Sequence, residues 1–202
     1  MIDAPEPKKF TRLTRVLHWL TAALVFTTLF VGFVMVNSVS RYARLVTLHK
    51  TLGALILLVM LARVINRLTH HPPAWPATIG ALEGKVVVLS ELSMYAMLLV
   101  QPLLGWAMVS AAGGPVVVFG SLRLPRIAPF DAQLFWILRQ AHSVVAYLLL
   151  AAIAAHISAV LLHTVALRDR LIERMTFRLS RRGRPIEDSR QSGPNDGQAR
   201  LG

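Results

Sequence analysis

The chain contains no cysteine in its 202 residues. That absence removes disulfides, iron–sulfur clusters, thiolate-ligated haem and thioether-attached haem together. Charge is scarce as well: 16% of the residues are charged and 54% are hydrophobic. With a positive mean hydropathy, this balance departs from that of soluble domains and points to a membrane protein. The formal charge of +12 does not point to nucleic acid, because the basic residues form no stripe interleaved with aromatics on one soluble face. They sit between long apolar runs. A metal cofactor in such a chain must rest on histidine, methionine or carboxylate.

What the chain has in abundance is apolar length. Four runs each exceed the roughly 20 residues that cross a hydrocarbon core about 30 Å thick at about 1.5 Å per residue. The expected fold is all-α, an integral membrane four-helix bundle within residues 1–178, with helices at roughly 14–36, 45–67, 84–110 and 134–165. The first run follows Lys8, Lys9, Arg12 and Arg15, as a signal peptide would, but it is too long for one and reads as a retained helix. Residues 179–202 lack apolar side chains to bury and are expected to be a disordered tail. Pro102 falls inside the third run, where it frees a carbonyl and either shapes the core or opens a ligand cleft.

Positive loops stay in the cytoplasm. With both termini inside, the N-terminal arm and the second connection carry 7 Lys and Arg, and the tail adds 9. The outside holds 6: Arg41, Arg44, Lys50, Arg123, Arg126 and Arg139. The expected location is therefore the inner (cytoplasmic) membrane of a bacterium, multi-pass, with cytoplasmic termini. Trp19, Trp75, Trp106 and Trp136 fall near the expected span ends, as an aromatic belt in contact with membrane lipid requires.

Four of the seven histidines, His18, His49, His142 and His156, lie inside apolar runs, where a polar ring needs a partner or a task. Helix direction sets their depths: His18 near the inner end of helix one, His49 near the outer end of helix two. His142 and His156 are 14 residues apart, about 40° short of four full turns and about 21 Å along the axis, so they share a face. Two pairs at matched depths follow, His18 with His156 and His49 with His142. Facing imidazoles at one depth are what a porphyrin iron needs for axial ligation on both sides. A hydrogen-bonded packing role is the plain alternative for any one of them.

Other residues carry weaker signals. Gly32 lies 14 residues after His18, and Gly53 one turn after His49. Both are places where a missing side chain admits a flat macrocycle, or simply lets helices pack. Arg63, 14 residues after His49, points to the inner haem as a propionate partner, or snorkels to the interface. His163 is expected at the membrane edge as a solvated residue, and His70 and His71 on the surface.

At this point the sequence resembles the bacterial cytochrome b561 family, in particular its short four-helix members, one of which is a superoxide oxidase. The resemblance runs from about Phe10 to Phe177. It rests on Arg15-Val16-Leu17-His18-Trp19-Leu20, His49-Lys50-Thr51-Leu52-Gly53, Arg63 to Arg67, Pro102 to Met108, Phe119-Gly120, and His142 with His156. It implies two haem b groups held by His18 and His156 and by His49 and His142, with ubiquinone as an exchangeable substrate. Members of this kind often carry a histidine early in helix three, where this chain has Glu91; that carboxylate either takes the place of a proton acceptor or reaches the inner interface.

Paired axial ligands leave no open iron position, so one-electron transfer is the expected chemistry. The first functional expectation is an oxidoreductase passing electrons from superoxide outside to ubiquinone in the bilayer, the outer cations focusing the anion. The second is a cytochrome module that oxidises quinol for a partner redox enzyme. The third, of another class, is a channel or transporter whose histidines relay protons.

Overall fold

The computed structural model describes residues 10–70, 80–166 and Met175. The expected tail at 179–202 and His71 lie outside the described residues. The architecture is four long helices, α1 (Arg12–Val36), α2 (Tyr42–Thr69), α3 (Ala81–Ala111) and α4 (Ala132–Leu161), with a two-stranded ladder, β1 (Val116–Val118) and β2 (Leu122–Leu124), between α3 and α4. All four helices are long and apolar enough to cross a membrane, as an all-α membrane bundle requires.

The helix ends follow local chemistry. Thr11 caps α1, its hydroxyl accepting from the Thr14 N–H at 3.2 Å. Asp131 caps α4 in the same way, accepting from the Leu134 N–H at 2.8 Å. Each side chain satisfies an amide that the first turn leaves without a partner. The last turn of α1 is closed by the Asn37 side-chain amide, which donates to the Phe33 carbonyl at 2.8 Å. α4 runs on into a π-helical turn, Leu162–Ala166. Large apolar side chains such as Phe26, Phe30, Phe33, Leu58, Ile65 and Tyr147 are more than half exposed, the distribution of a surface that faces lipid rather than water.

The connection after α3, expected as an irregular loop, holds the ladder. β1 and β2 pair antiparallel, Val116 opposite Leu124 and Val118 opposite Leu122. Val116 and Val118 are buried and Val117 is not, the alternation of a strand with one covered face. Phe119 and Gly120 turn the hairpin with φ of 51° and 80°. A bulky residue in the left-handed region is strained, and its amide is held by the Thr51 hydroxyl of α2 at 3.3 Å. The hairpin therefore closes over α2 next to His49.

A seven-residue step organises the interior. On α1 it joins His18, Val25 and Gly32; on α2, His49, Ile56 and Arg63; on α3, Glu91, Leu98 and Gly105; on α4, His142, Leu149 and His156. Because neighbouring helices run in opposite directions, these residues fall on three levels, each about 10 Å from the next at about 1.5 Å per residue. The middle level is apolar. Val25, Ile56, Leu98 and Leu149 are 3% to 6% exposed and form one buried cluster with Met60 and Ile153. The level nearest the hairpin holds Gly32, His49, Gly105 and His142; the level nearest the termini holds His18, Arg63, Glu91 and His156.

Candidate haem sites between the helices

Among the described residues α1 packs along α2, α2 against α3, and α3 against α4, but α4 makes no comparable packing with α1 or α2. The histidines face one another across that separation. The His18 and His156 ring centroids are 6.4 Å apart and those of His49 and His142 are 6.3 Å apart. Two imidazoles on one metal, with bonds of about 2 Å and ring centres roughly 1.1 Å behind the ligating nitrogens, have centroids about 6.2 Å apart. Rings bonded directly to each other would lie closer. The ring planes cross at 60° in one pair and 73° in the other, which a rotation about a shared ligand axis permits. In the hairpin-side pair the Nδ1 atoms of His49 and His142 are buried with no hydrogen-bond partner, as rings set for ligation rather than for hydrogen-bonded packing would be. These residues fit a porphyrin iron at each level.

Around the terminal-side pair the setting is cationic. The Arg63 guanidinium lies 4.8 Å above the Tyr95 ring centre and acts electrostatically on both His18 and His156. One turn further along α2, Arg67 pairs with Glu91 of α3 at 3.2 Å. Asn66, 7% exposed, donates to the Thr14 hydroxyl of α1 at 2.9 Å. Glu91 is thus tied to a helix neighbour rather than turned out to the interface.

Several expected residues sit elsewhere than their spacing suggested. Gly32 lies against His49, not His18, since α1 carries it to the hairpin-side level. Gly53 faces Pro102, its added Cβ 4.0 Å from the proline Cβ, so it serves helix packing. His163 is not a solvated edge residue: only 18% of its side chain is exposed, and its Nε2 lies 3.2 Å from Glu83 Oε1. His70 contacts the Thr69 hydroxyl at the exposed end of α2. Of the outer cations, Arg126 donates to the Gly113 carbonyl at 3.1 Å and Arg139 lies over the Trp136 ring. Arg41, Arg44 and Arg123 are exposed. The sequence reading passed over Gly105, whose added Cβ would meet the His142 ring. A glycine in an apolar helix at the depth of a buried histidine is the signal that could have found it.

A membrane bundle of four helices whose imidazoles face in pairs on two levels defines the class of helical b-type haem proteins. Within that class the chain belongs to the prokaryotic cytochrome b561 family, whose model matches residues 9–178. It is similar to cytochrome b561 homolog 2 of Escherichia coli (strain K12), at 25% identity over 122 residues. That match takes in 59% of this chain and 65% of the relative, so it spans a little under two thirds of the relative's length. The chain is a multi-pass bacterial membrane protein of electron transfer that carries haem b.

Proposed function

We propose that this protein is a di-haem cytochrome of the bacterial inner membrane, with cytoplasmic termini, that passes electrons singly from superoxide to ubiquinone. The observation that carries this reading is the pair of imidazole spacings, 6.4 Å and 6.3 Å, on levels 14 residues apart along α4. His18 and His156 would hold the iron nearer the termini, and His49 and His142 the iron nearer the hairpin. Haem bound there supplies reversible one-electron chemistry with both axial positions filled.

The side chains supply the rest. Four histidines leave no open position for oxygen. The buried middle level of Val25, Ile56, Leu98 and Leu149 keeps water out between the sites, which favours electron passage over a proton relay. Arg41, Arg44 and Arg123 draw a small anion towards the hairpin end. Arg63 stands beside the terminal-side pair as a propionate partner. Each superoxide gives up one electron and leaves as dioxygen; two electrons and two protons convert the quinone to quinol.

Purified protein mixed with a superoxide source and a ubiquinone analogue tests the reading. Rapid appearance of the paired visible bands of reduced low-spin haem, followed by quinol, is expected. Reduction by quinol with no response to superoxide would favour a module serving a partner redox enzyme, and a spectrum without low-spin haem would overturn the cytochrome reading altogether. A reporter fused at Gly202 that is active only in the periplasm would reverse the orientation.

A further inference from the structure

The rings of His49 and His142 rest against bare backbone. A Cβ added at Gly32 of α1 lies 3.3 Å from Cε1 and 3.5 Å from Nδ1 of His49; at Gly105 of α3 it lies 3.2 Å and 3.5 Å from the same atoms of His142. The two seats are alike in detail. The backbone carbonyl one turn before each glycine, Thr28 for His49 and Gln101 for His142, faces the ring. Neither Nδ1 completes a hydrogen bond, although both are buried. A buried orphan nitrogen of this kind calls for a partner, and the nearby carbonyl is an acceptor within a small ring movement.

We infer that Gly32 and Gly105 are positioning residues for the hairpin-side cofactor, each clearing the space in which Nδ1–H of its histidine donates to the carbonyl of Thr28 or Gln101. That bond fixes the tautomer: with the proton on Nδ1, the Nε2 lone pair faces the opposite ring. A ligand histidine that donates its other N–H to a carbonyl is more basic and held in one orientation. Greater basicity favours the oxidised iron, so loosening the seat raises the midpoint potential of this site and leaves the other in place. A side chain at either glycine pushes the ring off its carbonyl by a few tenths of an ångström, because the contact at 3.2 to 3.3 Å is tighter than ordinary packing allows.

The inference rests on the di-haem reading, and the two fail differently. Potentiometric titration and low-temperature electron paramagnetic resonance of Gly32→Ala, Gly105→Ala and the control Gly53→Ala, whose Cβ meets only ordinary contact, distinguish them. The expected result is two haems in every variant, with one component shifted to higher potential, and its largest g-value altered, in the first two variants only. Unmoved potentials and g-values, or an equal shift in Gly53→Ala, would overturn the positioning role while leaving two haems intact. If a variant fails to assemble, pulsed electron–nuclear spectroscopy of the unsubstituted ferric protein after transfer to heavy water decides the matter. Ring N–H protons that resist exchange on one component support the seats, and free exchange on both refutes them. Absence of low-spin haem in the unsubstituted protein would instead end the underlying reading.

Discussion

Arg67 on α2 and Glu91 on α3 form an ion pair at 3.2 Å, each side chain 35% exposed. Glu91 stands on the same level as His18, Arg63 and His156, seven residues before the buried Leu98. Exposure of this order screens the pair, so its worth is that of an interfacial bridge, about 0.2–1 kcal/mol. A double-mutant cycle of Arg67→Ala and Glu91→Ala, read by thermal unfolding in detergent, should return a coupling of about that size. A coupling of several kcal/mol would mean the pair is desolvated far more deeply than its exposure indicates.

The four alanine variants of the paired histidines should fall into two classes. His18→Ala and His156→Ala lose one haem component in redox titration, and His49→Ala and His142→Ala lose the other. The two levels are about 21 Å apart along α4, whereas ligands of one iron lie about 4 Å apart, with bonds of about 2 Å on each side. Loss of the same component from His18→Ala and His142→Ala would contradict the pairing outright.

Arg63 places a positive charge beside the terminal-side imidazoles. A positive charge favours the electron-rich state, so Arg63→Gln should lower the potential of the component that His18→Ala removes. At an effective dielectric of about 20, a unit charge roughly 10 Å away is worth about 1.7 kcal/mol, or on the order of 70 mV for one electron. Potentiometry reads this directly, and a shift in the hairpin-side component would show that Arg63 addresses the other site.

Replacing Arg41, Arg44 and Arg123 together by glutamine should slow superoxide-driven haem reduction at low ionic strength and flatten its salt dependence, because steering by exposed charge is screened over about 10 Å at 0.1 M salt. Stopped-flow rates across a salt series are the measurement; a rate unchanged at low salt would discard steering. Arg126 belongs in a separate variant. Its hydrogen bond to Gly113 braces the turn after α3, so Arg126→Ala should cost about 1 kcal/mol of stability whatever it does to the rate.

Leu149→Ala empties part of the level between the two histidine pairs. Leu149 is 3% exposed, and deletion of a buried leucine costs about 2–5 kcal/mol where the site cannot collapse. Thermal unfolding should show that loss with haem content retained. A neutral outcome would mean that the middle level is not packed as tightly as its burial implies.

The amino-acid sequence by itself determined the spans and the levels. Apolar length decides what crosses a bilayer, and a fixed rise per residue turns spacing into depth, which is why His18, His49, His142 and His156 could be sorted into pairs from position alone. Rotation about each helix axis was decided by the tertiary structure. Helices apolar on all sides carry no face signal of the kind that orients a soluble amphipathic helix, and small residues serve packing and cofactors alike. Spacing from His18 alone therefore placed Gly32 on the right face but beside the wrong histidine. Gly53 faces Pro102, Gly105 faces His142, and Glu91 meets Arg67 only because adjacent helices turn those faces together. The hairpin at Val116–Leu124 was likewise illegible, because two three-residue strands gain their stability from the α2 surface they cover rather than from any pattern of their own.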